Sequence, residues 1–400
     1  MLSSIGKSIL ESGLKLALRI QSKPIHTQFK LGTNPHVRSF SMIKENVGDS
    51  LRSLAIDRVI ILENSLKNAI VTGDVTSAKT HIHSLAKSGI RIFGSNIELA
   101  VRMNQTEIFT LMRSYSHDFY NTAAKKHLLK VMPDGLIIAA ENDNYDIMNG
   151  LLSGGFDPNI EGSKPIIIAS RKGNLRMVKL LFKHRSEINL EALVSSVKNN
   201  HISIVKYLIK KAVFSSECRS KAFRTGVEFN RVEIVEYLIR MRFYGAGSVN
   251  TSLGILILGV VHGFSDISKL MLESLIDNEK ACDSALFYGS LNNQMTIVEH
   301  LIENYPKCAD NSSNVTRSIN AAAEFGHLEM VKYLIENTKS FDKNAIDLSV
   351  PAKKGHLKIV EYLFDSGVDS DAQVMEAIMA AADANQSDIA DLLCTKKHIM

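Results

Sequence analysis

The chain has no tryptophan, only 7 prolines in 400 residues and only 4 cysteines. Scarce proline leaves long stretches free to run as helix. With 45% hydrophobic and 22% charged residues, the composition is that of a soluble, well-packed chain rather than a disordered one. Cys218, Cys282, Cys308 and Cys394 stand far apart, in no Cys-x-x-Cys or Cys/His spacing of the kind that holds zinc. They are expected to be reduced thiols of an intracellular protein. Long hydrophobic runs are missing too: Leu253 to Val261 is nine residues, against about 20 for a bilayer span. That run predicts a buried helix, and the chain predicts no integral membrane segment. Also absent are a phosphate-binding Gly-x-x-x-x-Gly-Lys-Ser/Thr loop, His-Glu-x-x-His, Gly-x-Ser-x-Gly and a dinucleotide fingerprint. The reading is therefore of a non-enzyme with no cofactor, no metal and no catalytic residues.

Positive charge is in excess by 5, but it is not spread along the chain. Residues 1–44 hold seven basic side chains and one acid, Glu11, while the remainder carries 40 basic and 41 acidic residues. The body is thus no electrostatic funnel for phosphates, and nucleic acid is not an expected partner. Within residues 1–42, Leu2, Ile5, Ile9, Leu16 and Ile20 fall near helical spacing with Lys7, Lys15 and Arg19 on other faces. Two readings stand side by side: a mitochondrial transit peptide, or a cap over the open hydrophobic end of the body. Gly6 and Gly13, and a preference for lysine over arginine, weigh against targeting, so a cytoplasmic location is the first expectation.

What the chain does have is repetition. Ala-Ala-Glu-Phe-Gly-His-Leu-Glu-Met-Val-Lys-Tyr-Leu-Ile (322–335) returns as Pro-Ala-Lys-Lys-Gly-His-Leu-Lys-Ile-Val-Glu-Tyr-Leu-Phe (351–364). Sliding this phrase along the chain places its glycine at Gly73, Asn104, Asp143, Gly173, Asn200, Asn230, Gly263, Asn293, Gly326, Gly355 and Asn385, at a mean spacing near 31. Only residues that tolerate a left-handed backbone occupy the column, which predicts a helix-ending turn in each copy. Four residues earlier stand Ala69, Ala100, Ala139, Ala169, Ser196, Gly226, Gly259, Gly289, Ala322, Pro351 and Ala381, all small except the proline. Four and eight residues after the turn, Ile, Met or Leu recurs in every copy but the first, which has Ser77 and His81. These positions form one apolar stripe of a second helix that a single copy cannot bury. The expected architecture is all-α, a helix-turn-helix solenoid of about eleven repeats. Residues 1–50 form a basic N-terminal segment, 51–395 the array and 396–400 a tail. Between Asn104 and Asp143 the spacing stretches to 39, so residues 117–134 are expected to form a loop or a lengthened helix.

Lys164-Pro165-Ile166-Ile167-Ile168-Ala169-Ser170-Arg171-Lys172-Gly173-Asn174-Leu175 and Leu151-Leu152-Ser153-Gly154-Gly155-Phe156-Asp157-Pro158-Asn159 resemble the Thr-Pro-Leu-His-x-Ala-Ala-x-x-Gly and Leu-Leu-x-x-Gly-Ala-Asp phrases of ankyrin-repeat proteins. Leu363 to Asp371 repeats the second phrase. The style of the repeats is similar to that of the ankyrin families of giant amoeba-infecting DNA viruses. The Thr-Pro-Leu-His start survives in only one copy, and the short return loops put the family's β-hairpin fingers in doubt. No F-box is expected.

The resemblance implies an interaction scaffold or adaptor, a monomer, that binds an as yet unidentified protein partner on the concave face lined by first helices. Candidates for that contact, on first helices ahead of the turn, are Arg171, Lys172, Arg224, Glu324, Phe325, Lys353 and Lys354. The alternative is a protein directed to an organelle or membrane by its basic N-terminal segment. His201, His327 and His356 share one repeat column and are expected to serve the turn rather than a reaction, and the close pair His81 and His83 lacks a third metal ligand. Tyr207, Tyr237, Tyr333 and Tyr362 recur beside the apolar stripe and are expected to pack on the helix face.

Overall fold

Every residue of the turn column adopts the left-handed backbone that its identity suggests. In the computed structural model, which describes residues 57–87, 94–115, 132–243, 249–275, 279–338 and 341–397, φ lies between +71° and +81° at the five glycines of the column. At Asn104, Asp143, Asn200, Asn230, Asn293 and Asn385 it lies between +51° and +63°. One hydrogen bond closes all eleven turns: the residue after the turn donates its N–H to the carbonyl of the small residue four before it. The bond is 2.9 Å from Asn144 to Ala139, 2.8 Å from Arg231 to Gly226, 2.9 Å from His327 to Ala322 and 2.8 Å from Gln386 to Ala381. This is the six-to-one bond of a Schellman motif, and it satisfies a carbonyl that the ending helix leaves without a partner.

The small residues are needed because the second helix folds back onto them. A Cβ on Gly226 would lie 2.9 Å from Val235 Cγ2, and one on Gly289 would lie 2.9 Å from Val298 Cγ2. Ala100, Ala169, Ser196, Ala322 and Ala381 are fully buried at the same position. The apolar stripe is buried as well: Ile147, Ile234, Met330 and, one turn on, Leu151, Leu238 and Leu334 have no exposed surface. The first copy, with Ser77 and His81 on the stripe, shifts by one residue and buries Ala78, Ile82 and Leu85 instead. At roughly 25 cal/mol per Å2 of apolar area, this seam is the main favourable contribution to folding.

The fold is the all-α ankyrin solenoid, and among the described residues there is no strand. By its contacts the chain divides into two compact bodies, Met1–Ala192 and Leu193–Met400. In the first, helix pairs such as Gly135–Glu141 with Tyr145–Ser153 and Ile160–Lys172 with Leu175–Lys183 pack first helix on first and second on second. In the second body the same two layers run through Ser216–Glu228 with Val232–Arg240, Val249–Val261 with Ser265–Ser274, Glu279–Leu291 with Met295–Asn304 and Ser312–Glu324 with Leu328–Asn337. The pairs Ser349–Lys353 with Leu357–Asp365 and Asp371–Asp383 with Ser387–Lys397 complete it. Return loops between repeats are short, two of them holding 3-10 turns at Pro306–Ala309 and Lys343–Ala345. In the copy closest to the family phrase, Glu161, Gly162 and Ser163 are all left-handed, and the regular helix starts only after them, with Pro165 in its first turn.

Four expectations change or fall outside the described residues. Cys282 and Cys308 are not separate thiols but are joined as a disulfide, because the return loop of their repeat brings the second beside the first helix. The uncharged helix Val249–Val261 is not buried all round, since Gly254 and Val261 are exposed. The N-terminal segment 1–50 and most of the stretch 117–134, from 117 to 131, lie outside the described residues.

Gly326→Ala forces a Cβ to within 2.8 Å of His356 Cε1 at a φ of +80°. It is expected to lower stability by about 1–2 kcal/mol, read from the urea midpoint. Asn293→Gly, which keeps the left-handed backbone open, should shift the same midpoint by less than about 0.5 kcal/mol.

Candidate functional site

In several repeats the residue after the turn has a second role, which separates structural polar groups from those left for a partner. Its side chain there reaches the turn or helix end of the preceding repeat. Asn144 accepts from Ile147 N at 3.0 Å to cap its helix and donates to Asn104 Oδ1 at 2.7 Å. Asn174 does the same with Met177 N and Asp143 Oδ1. Arg231 donates from Nε and Nη2 to Lys198 O at 3.0 and 2.7 Å. His327 Nε2 lies 3.2 Å from Leu291 O, and His356 Nε2 lies 3.1 Å from Glu324 O. The histidine column is thus a ladder of ties between neighbouring repeats. The ties of Arg231, His327 and His356 satisfy carbonyls at helix ends, whereas those of Asn144 and Asn174 end on the side chains of turn residues.

The candidate residues named from sequence fall in three places. In the first body, Arg171 and Lys172 are exposed, and Lys172 Nζ reaches the carbonyl of Glu141 in the preceding repeat. In the second body, Glu324, Phe325 and Lys354 form one cluster. Phe325 is 52% exposed, stacks on His327 with ring centroids 6.4 Å apart, and has Lys354 Nζ over its face at 4.7 Å. The same Nζ pairs with Glu324 Oε1 at 3.0 Å. Both partners are substantially exposed, so this pair adds little stability. Lys353 is exposed beside them.

Arg224 stands apart, in an open groove of about 540 Å3 between the first helices Ser216–Glu228 and Val249–Val261. Glu217, Ser220, Lys221 and Glu228 line it with Arg224 on one side, and Gly254 and Ile255 form the other. No atom lies within 4 Å of where a Cβ on Gly254 would stand. Arg224 Nε is 3.8 Å from Glu228 Oε1, with 60% of its side chain exposed. Lys221 and Gly254 were not singled out from sequence. The signal that would have found them is a first helix carrying five charged side chains beside one carrying none.

Chemical groups elsewhere are occupied by packing. Burial pushes the phenols of Tyr207, Tyr333 and Tyr362 up from their ordinary range, Tyr362 also through the hydrogen bond it donates to Glu336 Oε1 at 3.0 Å. His83 packs edge-on against Tyr115. Among the described residues no three His, Cys, Asp or Glu side chains are grouped as a metal would need, and no helix is long and apolar enough to cross a membrane.

These features define a class of protein: a repeat scaffold whose periodic residues are spent on stacking. A family model described as ankyrin repeats, in three copies, matches residues 136–222, 286–374 and 319–400. Together the matches cover just over half of the chain, which belongs to the ankyrin-repeat family. No curated protein matches it.

His356→Ala removes the tie to Glu324 O and should cost about 1 kcal/mol, whereas Phe325→Ala at its exposed site should stay within about 0.5 kcal/mol. Chemical denaturation of the two variants beside the parent chain checks this ordering.

Proposed function

We propose that this chain is a non-enzymatic scaffold or adaptor that holds a protein partner against the face made by its first helices. Ankyrin repeats are in general protein-interaction modules. One observation carries the reading for this chain. Its recurrent residues are buried in the seam or bonded across turns, while Lys221, Arg224, Phe325 and Lys353 on or beside first helices are exposed where stacking makes no demand of them. Exposed arginine and aromatic side chains are the types that most often anchor protein contacts. The repeat style suggests a viral relative of the giant-virus kind, and the location proposed is cytoplasmic. The charge concentrated in residues 1–44 supports a second reading, in which that segment directs the array to an organelle or membrane.

Arg224→Glu, Phe325→Ala and Lys353→Glu introduced together are expected to abolish partner capture in a pull-down read by mass spectrometry, with helical circular dichroism unchanged. Capture at the parent level would contradict the face proposed. A fluorescent fusion of residues 1–50 that stays diffuse in the cytosol would remove the targeting reading; concentration on one organelle would support it.

A further inference from the structure

Two cysteines that the scaffold reading does not use are joined at a mechanically sensitive place. Cys282 lies in the first turn of the helix Glu279–Leu291, and Cys308 lies in the 3-10 turn Pro306–Ala309, with Cα atoms 5.4 Å apart. Both are buried. Cys218 and Cys394 are half-buried and unjoined. The 3-10 turn packs on the helices Glu279–Leu291 and Met295–Asn304 of its own repeat and on Ser312–Glu324 of the next. Cys308 N donates to Tyr305 O at 2.9 Å, and Tyr305 N to Leu301 O at 2.8 Å. The neighbouring Asp283 accepts from Asn311 Nδ2 at 3.4 Å, and Asn311 in turn caps Ser312–Glu324 by accepting from Asn314 N at 3.3 Å. Cys282 and Asp283 therefore hold the connection 305–311 at its middle and at its C-terminal end. The second grip is a single long hydrogen bond, so the sulfur link is the strong one.

We propose that Cys282 and Cys308 form a reversible thiol–disulfide site, closed by a low-molecular-weight disulfide such as oxidised glutathione and opened by a dithiol, whose closure locks one repeat to the next. In closing, a thiolate of the pair attacks one sulfur of the small disulfide, giving a mixed disulfide and releasing one thiolate. The second cysteine then attacks the protein sulfur of that mixed disulfide and expels the other thiolate. The two protons lost by the cysteines end on the two released thiols, so two protein thiols and one small disulfide become one protein disulfide and two small thiols. Burial delays the first attack until the connection 305–311 opens transiently. The bond spans a sequence separation of 26 residues and encloses the whole second helix Met295–Asn304. Closure therefore restricts the unfolded conformations open to that repeat and makes its local opening rarer. In an array stabilised by nearest neighbours the effect passes to the next first helix, Ser312–Glu324, which ends at the exposed Phe325.

The test uses the full chain treated either with oxidised glutathione or with dithiothreitol, then alkylated and digested. Mass spectrometry should find a cross-linked peptide pair holding Cys282 and Cys308 only in the oxidised sample. Amide hydrogen exchange over 305–324 should slow by roughly tenfold or more on oxidation, and Cys282→Ala should remove that difference. Glutathione adducts without the cross-link would overturn the proposal, as would a cross-link that leaves exchange over 305–324 unchanged. The comparison of the two samples of the parent chain decides the matter even if the variant does not fold.

Discussion

The six-to-one hydrogen bond across a left-handed residue is the interaction on which the rest of the structure depends. It ends the first helix of each repeat and sets the angle at which the second leaves. That angle lays the second helix over the small residue four before the turn, where Gly226 and Gly289 leave room for Val235 and Val298 and no more. It also points the stripe at Ile234 and Leu238, or Met330 and Leu334, into the seam. The side chain after the turn is aimed at the previous repeat, where Arg231 and His356 find carbonyls. A left-handed backbone costs an ordinary residue about 1–2 kcal/mol, so the column holds only Gly, Asn and Asp.

Stability and recognition are thereby divided between different residues. The seam and the turns supply stability through neighbour-to-neighbour contacts, which lets the first-helix face vary without endangering the fold. Exposed pairs such as Lys354 with Glu324 contribute little to stability, so the residues best suited to reading a partner are those the array can spare. The cysteine pair fits the same scheme. It adds no new contact surface, but it acts on one neighbour interface, which is the element of the array through which local changes spread.

The turns and the seam were legible in the sequence because both rest on a one-residue physical requirement repeated at fixed spacing. Where the requirement is relaxed the reading failed. The first repeat puts Ser77 and His81 on the expected stripe, and only the structure shows the slip to Ala78 and Ile82. Left-handed Glu161 and Ser163 were not legible, since neither residue type favours that backbone. The groove at Lys221, Arg224 and Gly254 arises from two neighbouring first helices that differ in charge, a pairwise property that no single column contains. Cys282 and Cys308 resemble no local motif, because a return loop rather than a short spacing brings them together. Among the contact candidates, the sequence placed Glu324 and Phe325 before one turn and Lys354 before the next, but not that Lys354 would lie over the Phe325 ring and pair with Glu324.

Amide hydrogen exchange resolved to single residues tests the central claim most directly. The N–H groups of Asp74, Gln105, Asn144, Asn174, His201, Arg231, Phe264, Gln294, His327, His356 and Gln386 each donate the turn-closing bond. All eleven should be protected to the level of the helices they follow, although each sits in a turn. Exchange at these amides as fast as in an unstructured peptide, with the flanking helices protected, would contradict the account.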